Sequence, residues 1–357
     1  MTNSQLDHLP IITRDPGLVG ASLDRLADQL RDGWRQARTV RLPSHYRNIN
    51  RIAVCGMGGS HLGADILKSA LADRLAVPVS MIADYSLPAW VNRQTLVIGS
   101  SYSGTTEETI ASLAASQRRH AKIMVITSGP ALASRAKNSN WPVYHFKPTA
   151  NPSGQPRMGI AYGMMSLLSS WRKLGLVKVS DPEIQSLPVS AWEAVKKYSA
   201  RRPSAINTAK QIASRWDKSI PLLIGAEWAA GNILTMANQI HENAKTFAAG
   251  YLLPDLNHHL LEGLRNKSIT RQISVLMVDD RDYHPRTHRR LLLTANILKK
   301  SGAAIDTYRP RGTGALSKAI DLLAFGGYVS WYLAAVRRVN PADIPTVDFL
   351  KRELAKR

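Results

Sequence analysis

The sequence predicts an α/β protein made of two three-layer αβα halves with mainly parallel sheets. Short apolar runs that end in glycine or small polar residues alternate with segments of helical spacing, the pattern of strands covered by helices on both faces. The alternation occurs twice, on either side of a stretch rich in Pro, Gly, Ser and Asn. The chain has 357 residues, 44% of them hydrophobic and 20% charged, which is enough apolar material for more than one core.

Residues 51–56 (RIAVCG) form the first apolar run, and HLGADILKSALADRL then places Leu62, Ile66, Leu67 and Leu71 on one helical face. TLVIGSS (95–101) leads through YSGTTEE into a helix beginning near Thr106, and KIMVITSG (122–129) leads into ALASRAK. WPVYHF closes the first half as a fourth β-rich piece. The stretch KPTANPSGQPR (147–157) lacks any period and is read as a connection, so the domains are drawn at 1–150 and 151–357. A mainly helical region, 159–217, follows, with a break expected at Asp181-Pro182. The second series runs from IPLLIGA (220–226) through a helix over about 228–244 to the strand QISVLMVDD. A helix ending near Lys300, the strand AIDTYRP and a long helix from about Ala315 to Val339 complete it.

Composition removes several classes of protein. Cys55 is the only cysteine, so a disulfide-stapled scaffold is excluded. No window has the ~20 uninterrupted apolar residues of a membrane span. MTNSQLDHLPIITRDPG resembles neither a signal nor a transit peptide, which reads as a cytoplasmic protein. The formal charge of +21 is spread over the chain, with +7 in residues 1–150 and +14 in 151–357. A diffuse excess favours anionic partners in general, phosphorylated metabolites included. By itself it does not make a nucleic-acid-binding protein, and none is expected as a partner.

Two turns in the first half are shaped for an anion. Gly56-Met57-Gly58-Gly59-Ser60 lies between a strand and a helix start, where glycines allow close approach and free N–H groups attract negative charge. A dinucleotide fingerprint fails because His61 stands where the third glycine belongs. Ser101-Tyr102-Ser103-Gly104-Thr105-Thr106-Glu107-Glu108 is the second turn. Thr105 and Glu108 have capping-box spacing, which accounts for some of its hydroxyls, but four besides Tyr102 exceed what a cap needs. Each turn alone is as consistent with ordinary turn chemistry as with a ligand. The pair, at the carboxyl ends of successive strands, marks the edge where open α/β sheets bind ligands.

GMGGS followed by SYSGTTEET resembles the sugar isomerase (SIS) domain, and the chain as a whole resembles the bifunctional phosphoglucose/phosphomannose isomerases. The likeness continues through Pro156-Arg157, Glu242-Asn243-Ala244-Lys245, Pro254-Asp255-Leu256-Asn257-His258 and Leu350-Lys351. It implies two SIS-type domains and a cofactor-free aldose–ketose isomerase that converts glucose 6-phosphate, and mannose 6-phosphate, to fructose 6-phosphate through a cis-enediolate. It also implies a homodimer with a shared active site.

That chemistry needs ring opening, a proton moved between C1 and C2, and stabilisation of the enediolate. A carboxylate suits the proton transfer. Glu242 is the candidate through the resemblance; as an arbitrary glutamate near a helix end it would read as a solvated partner of Lys245. His258 lies in a polar loop, and an imidazole can open a pyranose ring; the resemblance prefers it to His259 and supplies it from the neighbouring subunit. Arg157 is implied to face the enediolate, where fixed charge favours the transition state. Lys351, otherwise a surface lysine, is implied to assist ring opening. Phosphate is assigned to Gly58, Gly59, Ser60, Ser101, Ser103 and Thr106. His241 replaces the asparagine that precedes the glutamate in relatives. LIGAEWAAG lacks a serine-rich turn, so only the first half is expected to hold phosphate.

No metal is expected. His284 and His288 have i, i+4 spacing without a third ligand, and they read as solvated surface histidines flanking Arg286. The rival function is a non-catalytic SIS sugar-phosphate-binding regulator, which would have no use for Glu242 or His258.

Overall fold

The computed structural model describes residues 6–7, 15–354 and 356. Helices α1 (Val19–Asp24) and α2 (Leu26–Ala37) lead into β1 (Arg51–Cys55), α3 (Gly59–Ala70), β2 (Val79–Ile82), β3 (Thr95–Ser101) and α4 (Glu107–Arg118). Then come β4 (Lys122–Thr127), α5 (Pro130–Asn138) and β5 (Val143–His145). The helical centre is α6 (Ile160–Lys173), α7 (Asp181–Tyr198) and α8 (Thr208–Arg215). The second series is β6 (Ile220–Ala226), α9 (Ala230–Ala244), β7 (Ala249–Leu253), β8 (Ile273–Val278), α10 (Pro285–Lys300), β9 (Ala304–Tyr308), α11 (Gly314–Val336) and α12 (Pro345–Leu354).

The sheets run in the order β2-β1-β3-β4-β5 and β7-β6-β8-β9. Every neighbouring pair is parallel, as the alternation of strands and helices requires. Two strands escape the periodicity, β2 and β7. Both lie at a sheet edge and neither is a continuous apolar run; β7 reads AGYLL and is buried only at Leu253. An edge strand is held on one side only and needs less apolar sequence to form.

The break expected at Asp181-Pro182 lies just before it, between α6 and α7, and Asp181 opens the second helix. Ser180 Oγ accepts the Glu183 N–H at 3.3 Å, and Pro182 occupies the first turn, where no N–H is required. Helix α11 is long and apolar enough to cross a membrane by length and composition, and the span that qualifies is 94% buried inside the protein. A helix that is apolar all round belongs in a core. Its charged residues are both satisfied: Lys318 by Asp280 and Asp282, and Asp321 by the Tyr308 hydroxyl and the Arg311 N–H.

One continuous apolar core joins the halves, with α3, α9 and α11 packed on one another at its centre. A Cβ on Gly231 would lie 2.2 Å from the Asp65 carbonyl oxygen, so the start of α9 meets α3 backbone to backbone. The Gly231 N–H donates to Ser69 Oγ at 2.9 Å. With the first turn of α9 set against the later turns of α3, the two helices run in opposite senses. The start of α3, with its anion-shaped turn, therefore meets the end of α9, which carries Glu242.

Candidate active site

The first turn is held by two glycines for different reasons. Gly58 adopts φ 51°, ψ −130°, a conformation that side chains resist. Gly59 faces a wall: a Cβ there would lie 2.6 Å from the Arg157 nitrogen and 2.8 Å from the Pro156 carbonyl carbon. The start of α3 thus rests directly on the Pro156–Arg157 backbone. That segment is a packed element of the site more than a loose connection, since Asn151, Arg157 and Met158 are all buried.

The second turn is tied to the first. Ser60 Oγ accepts the Tyr102 N–H at 3.0 Å, and Ser100 Oγ donates to the Ser60 carbonyl at 2.6 Å. Thr106 is the N-cap of α4 but makes no side-chain capping bond. Its hydroxyl lies 2.8 Å from that of Ser101, and Ser101 Oγ also accepts the Gly104 N–H at 3.0 Å. Ser103 and Thr105 pair their hydroxyls at 3.0 Å. The capping-box explanation of these hydroxyls therefore does not apply: they build a cradle of alcohols around a helix start. A Cβ on Gly129 would stand 1.9 Å from the Ser103 carbonyl oxygen, so the glycine opening α5 supports the cradle from below.

Arg157 is 1% exposed and its five N–H donors are all engaged. Nε donates to Asn243 Oδ1 at 2.6 Å. Nη1 donates to Gln155 Oε1 and to Glu242 Oε2, both at 2.9 Å. Nη2 donates to the carbonyls of Pro341 at 2.7 Å and Ala342 at 3.0 Å. Burial draws the guanidinium pKa down and the neighbouring Glu242 draws it back up; an arginine so placed stays cationic. The Glu242 side chain is 28% exposed, so one oxygen is fixed by Arg157 while the group keeps an open face.

The surroundings of Glu242 are equally bound. Asn243 Nδ2 donates to Ser330 Oγ at 2.9 Å, and Gln239 Nε2 donates to the Arg157 carbonyl at 3.2 Å. Lys245, in the left-handed conformation at the end of α9, donates to the carbonyls of Glu242 at 2.9 Å and of Asn340. It caps the helix and makes no ion pair with the Glu242 carboxylate among the described residues. Desolvation, with Arg157 nearby, pulls the Lys245 pKa down to about 8. His241 lies 2.8 Å through Nε2 from the Ala248 carbonyl and stacks on Phe247, so its imidazole is committed to the turn after α9.

His258 and Lys351 do not join this group within one chain. His258 is exposed in the turn that follows β7, at the carboxyl edge of the second sheet. Glu242 is near the far end of α9, about 18 Å along the axis from its first residue at 1.5 Å per residue. Lys351 is exposed on α12, a helix with no buried residue.

At the matching edge of the second sheet, between β6 and β8, acids take the place of hydroxyls. Asp280 receives Lys318 Nζ at 2.7 and 2.8 Å and Trp228 Nε1 at 2.8 Å. Asp279 receives Arg309 Nε at 2.8 Å and lies 2.9 Å from His288 Nε2. Buried carboxylates repel a phosphate. His288 is accordingly a partly buried partner of Asp279, not a solvated histidine, and His284 caps α10 by accepting the Arg286 N–H.

Gln155, Gln239, Asn243 and the carbonyls of Pro341 and Ala342 are the parts sequence reasoning misses. Asn243 lies inside a noticed motif and could have been found; backbone carbonyls leave no trace in a residue pattern. His61, whose Nδ1 lies 2.6 Å from Asp65 Oδ2, also stands in the first turn of α3 without an expected role.

Two family models match the chain: the SIS domain over residues 45–139 and the bacterial phospho-glucose isomerase C-terminal SIS domain over residues 205–354. A bifunctional phosphoglucose/phosphomannose isomerase of Caldicellulosiruptor bescii is 29% identical over 94% of this chain and 98% of its own. One from Aquifex aeolicus is 29% identical over 85% of this chain and 90% of its own. A hypothetical protein of Thermus thermophilus shares the fold with a TM-score of 0.74 at 17% identity, covering 99% of this chain and 94% of that one.

Proposed function

The chain belongs to the SIS-domain sugar isomerases of the bifunctional phosphoglucose/phosphomannose type, and from that premise we propose that it interconverts glucose 6-phosphate and mannose 6-phosphate with fructose 6-phosphate. The observation that carries this is one chain of contacts. The phosphate-shaped turn rests on Arg157 through Gly59, and Arg157 holds Glu242 at 2.9 Å.

Gly58, Gly59, Ser60, Ser101, Ser103 and Thr106 bind the phosphate through backbone N–H groups and hydroxyls, with the partial positive charge of the α3 start. The sugar then extends over Arg157 towards the open face of Glu242. Once the ring is open, Glu242 takes the proton from C2 and returns it to C1, while the O2 proton passes to O1; no net oxidation occurs. The negative charge that grows on the two oxygens lies in the field of a buried, immobile guanidinium, which favours the enediolate over the aldose. Since Arg157 has no spare donor, a direct bond from it to substrate requires Gln155 to yield its place on Nη1. Rotation of the open chain about C2–C3 presents either aldose to the same carboxylate, so one site serves both.

His258 opens the ring from the neighbouring subunit, which is why it lies far from Glu242 in its own chain, and Lys351 assists once α12 packs against the site. A homodimer with shared sites follows from this reading, and its phosphorylated substrates suit a cytoplasmic protein. The non-catalytic regulator has no work for a carboxylate bolted to a buried arginine beside a phosphate cradle. The test is a coupled assay for fructose 6-phosphate with each aldose phosphate, on the unmodified chain and on Glu242→Gln. Turnover of neither sugar by the unmodified chain would refute the reading.

A further inference from the structure

At the end of the first sheet opposite to the phosphate cradle, the chain forms a second concave site. It is a cleft of about 540 Å³ whose charged lining is His45, Arg93, His120 and Lys122, and its volume is of metabolite scale. The lining comes from segments 44–51, 91–95 and 117–122, which flank the starts of β1, β3 and β4. Together these segments carry six Arg or Lys residues, two His residues and no Asp or Glu. In a chain that interleaves its charges nearly everywhere else, this is a localised surplus. None of the eight bases pairs with a carboxylate among the described residues.

The cleft is built on bonded residues. Its floor is Tyr46, 6% exposed, whose hydroxyl donates to the Ile123 carbonyl at 2.9 Å and accepts the Ile123 N–H at 3.3 Å. Lys122 Nζ is anchored on the Arg93 carbonyl at 2.6 Å, which fixes the ammonium beside residue 93. Burial draws the Lys122 pKa down, the mark of an ammonium that lacks an anion. Cations gathered in a concavity focus their field on whatever enters it.

We propose that this cleft is a binding site for a small molecule bearing two or more phosphoryl groups, separate from the isomerase site. The bowl is far larger than one phosphate and its bases come from separate segments, so linked phosphoryl groups can meet Arg93, His120 and Lys122 together. A bowl of this size offers a nucleic acid no continuous track, and its tyrosine ring is buried in the floor, out of reach of a stacking base. Seven residues of β3 separate the cleft from the cradle, about 20 Å at 3.3 Å per residue, so the two sites can be filled at once.

The test is calorimetric titration of inorganic tripolyphosphate into the full chain, into the Arg93→Ala, His120→Asn double variant, and into Ser103→Ala in the cradle. Both cleft residues are exposed, and asparagine suits the positive φ of 53° at position 120, so the double variant should fold; its melting temperature and Arg93→Ala alone serve as controls. One site per chain is expected, weakened at least tenfold in the double variant and unchanged in Ser103→Ala. Equal binding in the unmodified and double-variant proteins, loss of binding in Ser103→Ala, or tighter binding of single-stranded RNA at the same residues would each overturn the proposal.

Discussion

Arg157 Nη1 donates to Glu242 Oε2 across 2.9 Å, and the same guanidinium holds the carbonyls of Pro341 and Ala342, roughly a hundred residues further along the chain. One buried cation thus joins the turn before α6, the end of α9 and the segment that follows α11. The carboxylate is placed by three distant parts of the sequence at once.

Removing the proposed proton acceptor while keeping the shape should abolish the chemistry. Glu242→Gln retains an oxygen for Arg157, so folding survives. Turnover of both aldose phosphates should fall at least ~100-fold, the low end of what a positioned acid–base group supplies. A coupled fructose 6-phosphate assay measures it, and a variant with unchanged turnover would remove Glu242 from the mechanism.

Arg157→Lys should cost stability as well as rate. A lysine has three donors and no fork, so acceptors among Asn243, Gln155, Pro341 and Ala342 would be left buried without partners. Breaking such a buried network costs about 3 kcal/mol or more, read as a lower urea midpoint. A midpoint unchanged from that of the unmodified chain would mean that the five bonds do not hold the site.

Gly58 and Gly59 of the first turn should fail differently. At Gly58 a Cβ meets nothing within 4 Å, so Gly58→Ala carries only backbone strain, on the order of 1–3 kcal/mol. At Gly59 the new carbon would meet the Arg157 backbone nitrogen at 2.6 Å, and two main chains must separate. Gly59→Ala should therefore lose more kcat than stability, because it displaces Arg157 and Glu242 together. Activity and melting temperature, measured side by side, separate the two effects.

A shared site predicts complementation. Glu242→Gln and His258→Ala, each inactive alone, should recover activity when their subunits are unfolded and refolded together. Random pairing in a two-fold dimer yields intact sites amounting to about a quarter of the total. No recovery, with mixed dimers demonstrated, would place His258 and Glu242 in the same chain's site or remove the histidine from it.

Acid should weaken one link between the halves. Arg74 grips Glu183 at 2.5 and 3.0 Å and holds its carboxyl below the ordinary 4.5. The unfolded chain then binds the proton more readily, so this contribution is complete above pH 4.5 and disappears as pH falls through the lower folded value. Both side chains keep about a quarter to a third of their exposure, so solvent screens the pair. A double-mutant cycle with Arg74→Met and Glu183→Gln should give a coupling of about 0.5–1 kcal/mol at pH 7. It should fade as the pH is lowered past 4.5; a coupling independent of pH would show that charge does not carry it.

Local patterns are legible where the cause is local. Strand-to-helix junctions at Gly56–Ser60 and Ser101–Thr106 announce themselves because glycines and hydroxyls cluster there, residue types that favour a turn into a helix start. The interior strands β1, β3, β4, β6 and β8 are visible because both their faces are covered. The edge strands β2 and β7 are not, because VSMI and AGYLL are short and only partly buried, whereas the edge strands β5 and β9 are read from WPVYHF and AIDTYRP. Asp181-Pro182 is legible as a break because proline marks a helix boundary, although it does not say on which side the helix lies.

The sequence by itself determined the α/β class, the two turns that can receive an anion and, through motif order, the reaction family. Only the tertiary structure decided that Gly59 is pressed on Arg157, that five donors of one guanidinium are consumed, and that His258 lies at the wrong end of α9 for its own Glu242. Residue type and spacing encode what a segment does with its immediate neighbours. Contacts between segments separated by scores of residues depend on the opposed directions of α3 and α9, which no single stretch of chain contains.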